Sequence, residues 1–595
     1  MNIVETLTSV CNPITVELVS GALRSAQAEM EALLARTAMS PFIREKKDFF
    51  VALYDPQGRM VAGTSVPLLG DVIQPILNQY PADEMAEGDL YWFNDCYGSG
   101  GAVSHTPDQV YVAPVFVERK LSAYAQTWAH FNDIGGLRPG SLSSDATDIF
   151  QEGVIIPPVR LYRRGEINDE LQRTFECNSR FPNVVRGDTR ASVASVRLGE
   201  RRLIELFGRF GRLVVLDAFD QLHERSRIQV VEELRRIFPV GRYSFTEKVD
   251  RDGQGHGPFS MRLDLEVTRD RIVLDTRRSD DQAPGPINFL MNSLIPRMMF
   301  GIYCQASQAG SLINEGAASG IDEVLTRPGS LLQPNHPAPL GLRGITMMRL
   351  LAACMGLINV ATAGQGVAAS NAYVIYYLRG RDAEGMQFLL SDGVAVGYGA
   401  RPFADGIDAV YYIAQENYPA EFLDSSYPVR LRRYELNCDT GGPGRWRGGC
   451  GVVREIELLT DEAMLSIRLD GIDFPPWGVN GGINGRGGRA VLNPGRAGQR
   501  VLEPVSDGTI MRRGDILRLE TGGGGGWGHP YDREPQRVRA DVLAGAISRD
   551  AALADYGVVL EGPEAEMNVL ATEAARRQRP PTALFHRGRY RDELE

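Results

Sequence analysis

The stretch 435–530 limits the fold of this chain most sharply. It carries three glycine clusters, TGGPGRWRGGCGVVREIEL, GVNGGINGRGGRAVL and TGGGGGWGHP. Glycine weakens helix interiors and lets backbones approach closely, so the segment reads as short alternating strands linked by tight turns and close backbone packing. None of the clusters contains GK[ST], and they lie between strands rather than at a strand-to-helix turn. A phosphate loop is therefore not supported, and no ATP site is expected on this chain.

The N-terminal part has a different pattern. From Pro13, the residues Val16, Val19, Leu23, Ala26, Met30 and Leu33 recur at helical spacing, which predicts an amphipathic helix over 13–38. FFVALYDPQGRMVAG (49–63) reads as two strands around Asp55-Pro56-Gln57-Gly58. DLYWFND, VYVAPVFV and YAQTWAHF read as further strands, the last with Tyr124, Gln126, Trp128 and His130 on one face. Helices are predicted over 191–208, 212–237 and 343–363, with an antiparallel β-rich module after residue 241 and a helical tail after Pro530. The chain of 595 residues is far longer than a single core allows. The expected class is multi-domain α+β, with a mixed α/β N-terminal part and a β-rich, glycine-dense C-terminal part. The predicted units are 1–240, 241–430, 431–530 and 531–595.

A net charge of −11, with no basic stripe carrying interleaved aromatics, argues against a nucleic-acid surface. The opening MNIVETLTSVCNPIT lacks the basic and apolar regions of a signal peptide, and LLAACMGLINV (350–360) is too short to span a bilayer. Seven cysteines without a CxxC pair suggest neither a zinc ribbon nor a disulfide framework. A cytoplasmic protein with no membrane or nucleic-acid partner is expected.

Only seven histidines occur, and two of them flank the most unusual polar cluster. SHTPDQV (104–110) sets His105 and Asp108 around Pro107, and His130 ends the strand that follows. A divalent cation in a mixed nitrogen and oxygen site wants this combination of imidazole and carboxylate on short rigid segments. Asp48, after REKK, and Asp133, in HFNDIGG, are the nearest additional carboxylates. The spacing equally allows a local turn hydrogen bond and a satisfied strand-end imidazole. Cys96, in FNDCYGSGG, reads as a small packing residue, since no GxSxG or comparable nucleophile signature accompanies it.

From NPITVELVSGALRSAQAEMEALLARTAMSPFIREKKDFFVALYDPQGRMVA onward, the chain resembles the hydantoinase B family. That family includes the B-type part of 5-oxoprolinase and components of the acetone and acetophenone carboxylases. The likeness continues in order through GDLYWFNDCYGSGG, HTPDQVYVAPVF, HFNDIGGLRPGS, RGDTRAS, INEG, YELNCDTGGPGRWRGGCGVVREIE and TGGGGGWGHP. The resemblance implies a divalent Zn or Mn site at His105, Asp108 and His130, with Asp48 as a further ligand. Two departures stand out: Phe131 replaces a second imidazole, and SVPLLGD (65–71) lacks a histidine of the family pattern. Both imply a drier pocket.

The resemblance also implies a partner, an A-type subunit that holds ATP and activates an amide or ketone oxygen by phosphorylation. The leading expectation is the metal-bearing subunit of an acetophenone-type ketone carboxylase, with a small additional subunit in the complex. The alternatives are a B-type subunit of an ATP-dependent hydantoinase, 5-oxoprolinase or lactamase acting on a cyclic amide, and a non-catalytic scaffold of the same complex.

Overall fold

Strands β1 (Phe49–Tyr54) and β2 (Met60–Gly63) pair around the turn expected at Asp55–Gly58. Asp55 Oδ1 accepts the N–H groups of Gln57 and Arg59, each at 2.9 Å, and Gly58 supplies the φ of +85° that the turn needs. The computed structural model describes residues 11–64, 70–306, 312–371, 373–411 and 415–587. With β3 (Leu90–Phe93), β4 (Asp108–Val117), β5 (Lys120–His130), β6 (Val159–Arg163) and β7 (Glu166–Ile167), the first pair forms a seven-stranded antiparallel sheet. Its order is β2-β1-β5-β4-β3-β6-β7.

The β4–β5 hairpin fixes the register that matters for function. Its two-residue turn places Glu118 and Arg119 at φ +52° and +62°, the positive values that a tight, correctly twisted hairpin requires. After a bulge at Val115/Phe116, the pairing runs on until Asp108 stands directly opposite His130.

Both faces of this sheet are buried. Along β5, Ala123, Ala125 and Ala129 enter one core, under the helices Pro13–Thr37 and Pro182–Phe210, while Tyr124 and Trp128 enter the other. The same split separates Tyr111 and Ala113 from Val110 and Val112 on β4. Small residues let the helix lie close: a Cβ on Gly199 would reach Ala125 Cβ at 3.0 Å.

The second core also receives a four-stranded sheet that contains Gly241–Val249 and Phe259–Val267, and the helix Arg343–Ala361. That helix is apolar and long enough to cross a membrane by length and composition, but most of it is buried here, with Phe245 against Gly356. Two further sheets, one containing Val374–Arg381 and Gln387–Gly393 and one containing Val429–Leu436 and Val452–Leu458, form the C-terminal part. A buried polar cluster ties this part to the first sheet. Lys46, just ahead of β1, pairs with Asp392, donates to Gly393 O at 2.9 Å and lies over the rings of Tyr411 and Tyr418.

Several expected boundaries shift. The helix expected from 191 begins at Pro182, because its first turns bury Val185, Asp188 and Thr189 in a pattern too polar to read as periodic. The helix expected to 363 ends at Ala361, ahead of Ala363 at φ +50°. The tail after Pro530 is not continuously helical but consists of Pro535–Leu543, Arg549–Tyr556 and Val569–Arg576, with two-residue strands between the last two. Glycines 522–526 serve close packing rather than turns: a Cβ on Gly525 would sit 1.9 Å from Trp477 O.

Candidate metal centre

The register of β4 against β5 brings Asp108 and His130 together, and the Pro107 corner swings His105 over the same end of the sheet. Asp108 Oδ1 lies 2.7 Å from His105 Nε2 and 3.0 Å from His130 Nδ1. One ligand atom from each of the three residues lies within 4.8 Å of the others, and all three side chains are buried. The second oxygen, Asp108 Oδ2, accepts from Arg343 Nη2 at 3.1 Å, and Arg343 Nε donates to Ser104 Oγ at 2.7 Å.

The protonation of His105 decides what this cluster can hold. Burial and the nearby Arg343 charge push its pKa down to about 4, so the ring is neutral near pH 7 and carries one N–H. His105 Nδ1 faces the carbonyl of Gly341 at 3.1 Å, and a carbonyl only accepts. This geometry assigns the proton to Nδ1 and turns the Nε2 lone pair toward Asp108 Oδ1. Burial opposes ionisation of Asp108, while the contact with His130 and the Arg343 guanidinium at its second oxygen favour the charged form. A lone pair facing an ionised carboxylate at 2.7 Å is repulsive, and a cation shared between the two relieves it. An imidazole whose other N–H is fixed by a backbone carbonyl is the usual metal-ligating arrangement. The donor set of two nitrogens and one carboxylate oxygen suits Zn or Mn.

Glu152 holds the Gly341 carbonyl in place. Its Oε1 accepts the N–H groups of Leu340 at 2.9 Å and Gly341 at 2.7 Å, while its backbone O accepts from Thr106 Oγ1 at 2.7 Å. One buried residue therefore grips the chain on both sides of His105.

Asp48 does not join the three-residue group. Its backbone O accepts the His130 N–H at 3.1 Å, and its Oδ2 accepts from Gln415 Nε2 at 3.0 Å. Burial pushes its carboxyl up to about 6, with His130, Asp108 and Arg343 among the charges acting on it. It borders the centre, close enough to feel the charges of His130 and Asp108, with its Oδ2 taken by Gln415. Asp133 is structural: it accepts the Arg180 N–H at 2.9 Å and that of Gly140 at 2.9 Å. Cys96 is a buried packing residue whose thiol burial pushes well up.

Phe131 corrects an expectation. It packs against Tyr111 and Phe175 in the helix-side core, on the opposite face of the sheet from His130. It does not dry the metal pocket. The SVPLLGD departure falls mostly at 65–69, outside the described residues. Arg343, Gly341, Glu152 and Gln415 were not anticipated; each arrives from an element distant in sequence, and no local motif marks it.

Comparison with known proteins identifies the family of the chain. The profile of the hydantoinase B/oxoprolinase family matches residues 12–530. The chain is 30% identical to the B component of a putative D-/L-hydantoinase of Pseudomonas sp. (strain NS671), covering 93% of this chain and 96% of that one. It is 30% identical to the beta chain of the caprolactamase of Pseudomonas jessenii, covering 95% and 99%. The crystal structure of the ATP-dependent caprolactamase from that organism superposes with a TM-score of 0.86 at 28% identity, covering 96% of this chain and 100% of that chain. The acetophenone carboxylase delta subunit of Aromatoleum aromaticum is 26% identical over 86% of this chain and 81% of its own. The chain belongs to the hydantoinase B/oxoprolinase family.

Proposed function

We propose that this chain is the metal-bearing subunit of an ATP-dependent complex that hydrolyses a cyclic amide, with a divalent cation held by His105, Asp108 and His130. The supporting observation is the convergence of His105, Asp108 and His130 in a buried corner, with one ligand atom of each within 4.8 Å of the others. The substrate class follows the hydantoinase and caprolactamase relatives. ATP belongs to an A-type partner, in keeping with glycine clusters here that pack backbone against backbone and carry no phosphate-loop motif.

The cation supplies Lewis-acid polarisation of a substrate oxygen or orientation of a water. Around it, Arg343 balances the charge of Asp108 and holds its second oxygen. Asp48, whose backbone carbonyl holds the His130 N–H and whose Oδ2 is held by Gln415, places a carboxyl beside the centre to take and return a proton. Glu152 and Gly341 keep the His105 proton on Nδ1.

Elemental analysis of the complex should find about one Zn or Mn per chain. His105→Ala and Asp108→Ala should each lose the metal and turnover while the complex stays assembled. Normal metal content in either variant defeats the ligand assignment. Wild-type complex without metal would instead favour a scaffold role.

A second reading, a ketone carboxylase with a small additional subunit, draws on the likeness to the acetophenone carboxylase delta subunit. It loses the support expected from Phe131, which faces away. Assays with ATP separate the two: ring opening of hydantoins or lactams without bicarbonate supports the hydrolase. Incorporation of labelled bicarbonate only into ketones supports the carboxylase.

A further inference from the structure

The loop that leaves β5 after His130 runs through Leu137, Arg138 and Pro139, which line a groove of about 680 Å³. Its other walls come from Phe181, just ahead of the helix Pro182–Phe210, and from the sheet that contains Val374–Arg381, Gln387–Gly393, Glu462–Leu469 and Val505–Arg512. The volume is that of a small-molecule site, and no residue of the metal centre lines it.

Arg379 lines this groove yet is only 8% exposed. Its Nη1 donates to Pro139 O at a long 3.3 Å, and its Nη2 lies 2.7 Å from Met464 Sδ, a weak acceptor. Asp507 stands 3.8 Å away, but its oxygens are engaged elsewhere. Oδ2 accepts from Arg468 Nη2 at 2.7 Å and from Ser144 N and Oγ at 2.8 Å each, and Oδ1 accepts from Ser466 Oγ. Burial pushes the Arg379 pKa down, and the charges of Arg138, Arg468 and Arg180 act in the same direction. Buried guanidinium groups are ordinarily paired, often with both arms on one carboxylate or phosphate. Here the fork meets a carbonyl, a thioether and the edge of a committed carboxylate.

The other charged groups on the walls are spoken for. Arg138 pairs with Asp145, and Arg381 Nη1 donates to Gly385 O at 2.7 Å. Asp382 Oδ1 accepts the Met386 N–H at 2.8 Å, Asp461 pairs with Arg513 at 2.9 Å, and Glu462 lies 3.7 Å from Arg512. Three acids thus offset three arginines around the groove, a balance that disfavours a polyanion such as a nucleotide. Leu137, Phe181, Phe388 and Ile510 supply apolar wall between them.

We propose that this groove binds a small organic monocarboxylate, with its carboxylate on the Arg379 fork and its apolar body along Leu137, Phe181, Phe388 and Ile510. A guanidinium matches a carboxylate with two parallel N–H donors, and a single negative charge suits walls that are otherwise balanced. The site stands without the cyclic-amide reading. Where that reading holds, ring opening yields acids of this class, so a product of the reaction becomes a ligand of the groove.

Calorimetric titration of the full chain with hexanoate tests this, after chelator treatment because a bound cation would itself attract a carboxylate. Hexanoate should saturate the chain at about millimolar concentration or below. Hexan-1-ol, which lacks the charge, and inorganic phosphate, which lacks the apolar body, should each bind at least about tenfold more weakly. Arg379→Met, and separately Leu137→Glu on a wall residue that is 47% exposed, should each weaken hexanoate about tenfold or more. Leu137→Glu decides alone if Arg379→Met fails to fold. No saturation by hexanoate, or unchanged affinity in Leu137→Glu, overturns the proposal. Binding to the free chain that vanishes in the assembled complex also overturns it, since a partner's own groups would then fill the groove.

Discussion

Glu152 Oε1 lies 2.7 Å from the backbone nitrogen of Gly341, and the Gly341 carbonyl in turn lies 3.1 Å from His105 Nδ1. A carboxyl group outside the three-residue cluster thus holds the carbonyl that faces one of the proposed ligands. Outer partners of this kind are worth about 10- to 100-fold in metal affinity. Glu152→Ala removes the acceptor of both the Leu340 and Gly341 N–H groups, and should lower metal affinity by at least about tenfold. Chelator competition measures this; unchanged affinity means that the Gly341 carbonyl is held by other contacts.

The metal-free chain should be sensitive to acid in a defined window. His105 takes up a proton near pH 6.5 when unfolded and near 4 when folded, because burial and Arg343 disfavour its charged form. The unfolded state therefore binds more protons between these values. The contribution is fully present above pH 6.5 and is lost as pH falls toward 4, by about 3 kcal/mol at most. Denaturant titrations of metal-free wild type and His105→Gln across pH 4–7 should differ in slope over that range. Parallel curves contradict the assignment of a neutral His105.

Lys46→Met should loosen the link between the first sheet and the C-terminal part. Lys46 and Asp392 are both fully buried, and Asp392 keeps only Arg454 Nη2 at 3.1 Å and Tyr376 Oη at 2.9 Å once the lysine is gone. Breaking a buried pair costs about 3–5 kcal/mol, and the remaining partners place this case at about 3. Equilibrium unfolding in urea reads it directly; a loss below about 1 kcal/mol shows that the pair is dispensable.

Gly525→Ala should be among the most damaging single changes. The added methyl would sit 1.9 Å from Trp477 O and 2.5 Å from its carbon, both backbone atoms that cannot step aside by a rotamer change. Overpacking of this severity should exceed about 3 kcal/mol and show up as loss of soluble protein or a sharply lower Tm. Gly508→Ala adds a methyl with nothing within 4 Å, but at φ +86°, so it should cost only the smaller backbone strain.

The first sheet was legible because its strands alternate strongly and its turns carry Asp-Pro-Gln-Gly. Four members of the site region, Asp48, His105, Asp108 and His130, were also legible, through the HxxD corner and the family resemblance. Their common geometry was not: Asp48 turns its carboxylate to Gln415, 367 residues away, which no local pattern encodes. Arg343 was invisible for the same reason, since it opens a helix 235 residues beyond Asp108. Phe131 was misplaced by adjacency. The alternation of β5 sends residue 131 to the face opposite His130, and counting strand parity from Tyr124 would have found this.

The reach of Arg343 and Gly341 back to the corner at residues 105–108 orders events on the ribosome. A nascent chain of about 240 residues already holds all three proposed ligands, yet it lacks the guanidinium that steadies Asp108 and the carbonyl that fixes the His105 tautomer. Full assembly of the proposed cation site therefore waits until the helix beginning at Arg343 has been synthesised and docked.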